Sequence, residues 1–117
     1  MAGGCAGPPD ALARYEALVA RFPPIERKGA SMPYTSVNGH MSSFLDPSGA
    51  LSIRLSPDDL HDFVDRHHAT LSEQHGRVLK DFAVVPAAIS EDVDELSRWF
   101  ARSYEWTATL RPEPKRA

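Results

Sequence analysis

Met32-Pro33-Tyr34-Thr35-Ser36-Val37-Asn38-Gly39-His40-Met41-Ser42-Ser43-Phe44-Leu45 is the stretch that decides the fold. Asn-Gly tolerates positive φ at both central positions of a type I′ turn, the turn whose twist suits two antiparallel strands. A hairpin centred on Asn38-Gly39 is therefore expected, and its two-residue loop fixes which side chains share a face. The stretch supplies no activated nucleophile and no set of metal ligands.

Working outward, Asp46-Pro47-Ser48-Gly49 reads as a second turn, with proline and glycine where a tight turn wants them. Leu51-Ser52-Ile53-Arg54-Leu55 then alternates as a half-buried strand should. Ser56-Pro57-Asp58-Asp59 starts a helix: Ser56 caps, Pro57 takes the first helical position, and two carboxylates meet the positive end of the dipole. That helix is expected to reach about residue 68 and to bury Leu60, Phe63 and Val64. Upstream, Asp10 can cap a helix over 10–22 whose apolar side chains Leu12, Tyr15, Leu18, Val19 and Phe22 follow the 3.6-residue period until Pro23-Pro24. Downstream, 70–77 is polar and reads as irregular, 78–85 reads as the second β region with 82–85 apolar enough to be an interior strand, and Ser90 is the expected cap of a last helix running to about 110.

The order α-β-β-β-α-β(β)-α predicts an α+β fold, a two-layer sandwich with helices on one face of an antiparallel sheet. Residues 1–9 read as a disordered leader, 10–110 as the domain and 111–117 as a flexible tail. Hydrophobic content of 42% and charged content of 25% are ordinary globular values. The net charge of −3 lacks the electrostatic footprint of a nucleic-acid binder. Cys5 is the only cysteine, so no intramolecular disulfide forms, and the start of the chain has no signal-peptide pattern. No apolar run approaches the about 18 residues of a membrane span. A cytoplasmic protein is expected.

The Asn-Gly hairpin, the Leu51-Ser52-Ile53-Arg54-Leu55 strand, the Leu79-Lys80-Asp81-Phe82-Ala83-Val84-Val85-Pro86 block and a closing helix with Ser103-Tyr104 resemble the amino-terminal domain family of the TfoX/Sxy competence regulators. The likeness covers roughly 11–114, and its motifs are those of packing and turns. Where the family pattern has Met-Phe-Gly, this chain has Met32-Pro33-Tyr34. The resemblance implies a small bacterial member, an antiparallel sheet with helices on one face as in the type III secretion chaperones, and no catalytic residue or cofactor.

His61, Asp65 and His68 share one flank of the second helix, with His67 and His75 nearby, and histidine and carboxylate both suit zinc. The flank lies away from the Leu60/Phe63/Val64 stripe, so the simpler reading is a solvated helix side, and no metal is expected. Ser36, Ser42 or Ser43 could pair with His40, but no nucleophile elbow mounts them, and no catalytic site is assigned. Arg27-Lys28, Arg54, Arg77 and Lys80 read as cations balanced by Glu26, Asp81 and their neighbours rather than as a phosphate site.

Simple pairing through both turns puts Met32, Tyr34, Met41 and Leu45 on one sheet face, and Pro33, Val37 and Phe44 on the other with Leu51, Ile53 and Leu55. A bulge at Gly49 would reverse that last assignment. Helices cover one face, so the other is expected to seek a partner. On the last helix Trp99 reads as core, whereas Trp106 and Leu110 lie on an edge suited to a partner contact. The expected function is a non-enzymatic, self-associating or partner-binding module that uses Val37, Phe44, Trp106 and Leu110. The alternative is a small enzyme or ligand-binding protein with a His/Ser-lined site around His40, His67, His68 and His75, and a nucleic-acid accessory role ranks lower.

Overall fold

The computed structural model describes residues 9–22, 25, 28–29, 33–46, 49–74 and 76–110. In chain order the elements are α1 (Pro9–Ala20), β1 (Tyr34–Val37), β2 (His40–Leu45), β3 (Leu51–Arg54), α2 (Pro57–His67), β4 (Thr70–Gln74), β5 (Arg77–Val84), α3 (Ala87–Ser90) and α4 (Val93–Thr109). The strands form one antiparallel sheet in the order β1-β2-β3-β5-β4. This is the α+β architecture expected from the sequence. The leader up to residue 8, the 111–117 tail, Pro23-Pro24, Met32 and His75 lie outside the described residues.

The turn chemistry holds at the first hairpin. Asn38 (φ 57°) and Gly39 (φ 81°) both take positive φ, and Val37 pairs with His40 across the two-residue loop. The Asn38 side-chain amide also donates to the Ala108 carbonyl at 2.8 Å, tying the hairpin tip to the end of α4.

The expected assignment of faces is corrected by two irregularities. Thr35 pairs with Ser43 but Ser36 pairs with Met41, so Ser42 is an extra residue in β2. In the β2–β3 connection Gly49 sits at φ 96°, its N–H bonded to the Asp46 carbonyl and the Asp46 N–H to the Ala50 carbonyl, a bulge-type turn. Leu45 therefore pairs with Leu51, Ser43 with Ile53 and Phe44 with Ser52. Leu51 and Ile53 join Leu45 on the helical face, and Tyr34 joins Phe44 on the other.

The core lies on the helical face. Leu45, Leu51, Ile53, Leu55, Ala83 and Val85 from the sheet meet Tyr15 and Leu18 of α1, Phe63 of α2, and Leu96, Trp99 and Phe100 of α4. A buried hydroxyl cluster sits at the bulge. Tyr15 Oη shares a hydrogen bond with Ser43 Oγ (2.7 Å), and Thr35 Oγ1 bonds both Ser42 Oγ (2.7 Å) and Ser43 Oγ (2.6 Å). Ser103 Oγ donates to the Ser42 carbonyl at 3.0 Å, and Thr107 Oγ1 to the Ser103 carbonyl at 2.8 Å. Satisfying these hydroxyls matters because an unpaired buried polar group costs about 1–3 kcal/mol.

The segment read as polar and irregular contains a strand, β4, and it changes the second face. Leu71 pairs with Ala83, but Ser72 pairs with Leu79, leaving Lys80, Asp81 and Phe82 without β4 partners. The hairpin tip bends there and curls over the sheet. Ser72 Oγ accepts a 3.0 Å hydrogen bond from Ser52 Oγ on β3, and Gln74 Nε2 donates at 2.8 Å to Asp46 Oδ2 at the end of β2. In a flat sheet Gln74 and Asp46 would be three strand spacings apart, about 14 Å, beyond the reach of both side chains. Under this arm Phe44 is 1% exposed and packs on Phe82 with ring centroids 5.4 Å apart. Arg54 lies over the Phe82 ring at 4.8 Å, donates from Nε to the Met41 carbonyl (2.9 Å) and pairs with Asp81 (3.3 Å).

At the other helix termini the caps are local. Ser56 Oγ accepts from the Asp59 N–H at 3.2 Å, and His68 ends α2 in the left-handed conformation at φ 54°. Ser90 is not the cap of the last helix. It ends the one-turn α3, and Asp92 caps α4 by accepting from the Glu95 N–H at 3.2 Å, a carboxylate being well suited to that position.

Candidate functional site

The 3.6-residue period of α4 sends Leu96, Phe100, Ser103 and Thr107 onto the sheet and turns Trp99 and Trp106 toward α2. Trp99 is buried. Its Nε1 donates to Glu95 Oε2 at 2.9 Å and its ring meets Phe63 edge-on at 4.9 Å. Trp106, one heptad later, is half-buried and lines an open cleft of about 360 Å³ with Ser56, Asp59, Arg102, Glu105 and Thr109.

Arg102 divides that cleft from a second one. It lies over the Trp99 ring at 5.5 Å, and its Nη1 donates to Asp59 Oδ1 of α2 at 2.9 Å. Beyond it, Asp62 and Arg66 of α2 face Glu95, Arg98 and Trp99 of α4 around about 190 Å³. Along this groove Arg66 pairs with Asp62 (3.3 Å) and Arg98 with Glu95 (2.9 Å). The exposed Arg66–Asp62 pair contributes about 0–1 kcal/mol, so its side chains can be redirected to a partner at little cost, whereas Glu95 is also held by Trp99 Nε1. His67 packs beside Trp99. Its ring packs edge-on against Phe63 and Trp99, and its buried Nε2 makes no hydrogen bond, 3.7 Å from Glu95 Oε2.

The residues singled out from the sequence do not come together as one patch. Val37, Trp106 and Leu110 are half-buried, Val37 in β1 near the hairpin tip, Trp106 in α4 and Leu110 at its end. Phe44 is buried beneath the β4–β5 arm and offers no surface. His61, Asp65 and His68 are exposed on α2, while His40 lies in β2. Among the described residues no group of three or more His, Cys, Asp or Glu side chains is placed to hold a metal ion. Ser42 and Ser43 are engaged with Thr35 inside the core, and Lys28 Nζ donates to Ser36 Oγ at 3.3 Å. No described helix is long and apolar enough to cross a membrane.

Both sheet edges are guarded. β1 has four residues, pairing broken by the bulge in β2, and an isolated bridge from Lys28 to Tyr34 along its edge; β4 has five residues, pairing broken by the extra residues of β5, and Glu73. Short, bulged, charged edges resist strand addition. The exposed large apolar side chains among the described residues are Leu71 (39%), Val78 (55%) and Val93.

Comparison with family models, curated proteins and solved structures gives no match. The α2/α4 groove was only half legible in advance. The spacing of Trp99 and Trp106 marked one wall, whereas the opposing wall of Ser56, Asp59 and Asp62 required knowing that α2 lies beside α4.

Proposed function

We propose that this chain is a non-enzymatic protein-interaction module, akin to the TfoX/Sxy amino-terminal domain, that self-associates through the groove between α2 and α4. The observation that carries the reading is the half-buried Trp106 side chain on the wall of an open cleft, since tryptophan is enriched among side chains that anchor interfaces. Asp59, Arg102 and Glu105 give the same cleft both signs of charge, so a second copy can offer each group an opposite partner. The family likeness rests on the sequence motifs, and a lone cysteine fits a reducing cytoplasm.

The two indole N–H groups provide the test within one sample. As concentration rises from tens to hundreds of micromolar, the Trp106 indole resonance shifts, while that of Trp99, bonded to Glu95, stays in place. Two invariant indoles would remove the groove from consideration.

A further inference from the structure

A different cleft, of about 300 Å³, opens where α1, the β2–β3 connection and α3 meet. Its floor is apolar: Leu51 and Val85, continued inward by Leu45 and Leu96. Its rim carries Arg14, Ser90 and Glu91. Among the described residues Arg21, Arg54, Arg66, Arg98 and Arg102 each have an acidic partner, whereas Arg77 on β5 has none. Arg14 has none among the described residues, and neither Glu91's carboxylate nor Ser90's hydroxyl is engaged by one. A cation, an anion and a hydroxyl, all without partners among the described residues, thus border one apolar depression.

We propose that this cleft binds an apolar α-amino acid. The ligand's carboxylate meets Arg14, its ammonium meets Glu91, and its side chain rests on Leu51 and Val85. Size and charge both select this class. Ligand sites run from about 300 to 1,000 Å³, and this one, at the small end, suits a free amino acid rather than a nucleotide. A simple carboxylic acid would satisfy Arg14 but face Glu91 unpaired, and a peptide carboxy terminus, lacking the ammonium, would do the same. A zwitterion leaves neither rim charge without a counterpart. The site is separate from the α2/α4 groove, and its test does not depend on association.

The probes are L-leucine, N-acetyl-L-leucine and L-leucinamide, titrated separately into the full chain while backbone amide shifts are recorded. Leucine is expected to give saturable shifts at Ala11, Leu51, Val85 and Ser90. Removing either ligand charge weakens binding, as do Arg14→Gln and Glu91→Gln, each by roughly fivefold, the scale of a solvent-exposed charge contact. Both variants alter exposed side chains, and an unchanged far-UV spectrum verifies their fold. The proposal is overturned if leucine gives no saturable shifts, if the shifts lie elsewhere, if N-acetylleucine binds as tightly as leucine, or if the two variants bind leucine like the parent chain.

Discussion

Phe44→Ala tests the account of the second sheet face. Phe44 is 1% exposed, held between the sheet and the curled β4–β5 arm, with Phe82 as its aromatic partner. Truncating a buried phenylalanine costs about 3–5 kcal/mol through lost transfer energy and the cavity left behind. The arm's retaining bonds, Ser52–Ser72 and Gln74–Asp46, add about 0.5–1.5 kcal/mol each, so the site cannot relax freely into the space. A chain of this length is stable by about 6–17 kcal/mol, so a loss of about 4 kcal/mol is a large fraction of the total. In urea, with a slope of about 2 kcal/mol/M, the midpoint should fall by about 2 M. A fall below about 0.5 M, at unchanged slope, would mean that Phe44 faces solvent and that the arm does not cover it.

Other expected outcomes follow from single contacts. Thr35→Val removes the hydroxyl that bonds Ser42 and Ser43, and should destabilise by about 1–3 kcal/mol in urea unfolding. Ser56→Ala removes the cap of α2 and should cost about 1 kcal/mol, measured in the same way. His68→Gly should stabilise by about 0.5–1 kcal/mol, raising the thermal midpoint, because His68 holds φ 54° where glycine is unstrained.

The sequence disclosed most where local chemistry decides structure. Asn38-Gly39 fixed one hairpin and Ser56-Pro57 the start of α2, because turns and caps involve residues a few positions apart. It disclosed least where one inserted residue changes a register. Gly49 in the second turn moved Leu51 and Ile53 away from Phe44, Ser42 in the bulge brought Tyr34 to it, and no periodicity in the strands records either event. The strand in Thr70–Gln74 was hidden for a related reason. Its inward groups, Ser72 and Gln74, are polar and find hydrogen bonds rather than apolar neighbours, so hydrophobic alternation is missing. The sequence pattern therefore leaves Phe44 as a surface in want of a partner, whereas the chain itself supplies the cover. The Trp106 edge was visible because a helical period needs only one element to define it.

Sedimentation equilibrium of the parent chain beside Trp106→Ala tests the central claim most directly. The parent's weight-average mass should rise with concentration toward twice that of the monomer through the high-micromolar range, while Trp106→Ala, with its fold intact by circular dichroism, stays near the monomer. A parent that remains monomeric throughout, or a Trp106→Ala chain that associates equally well, would contradict self-association through the α2/α4 groove.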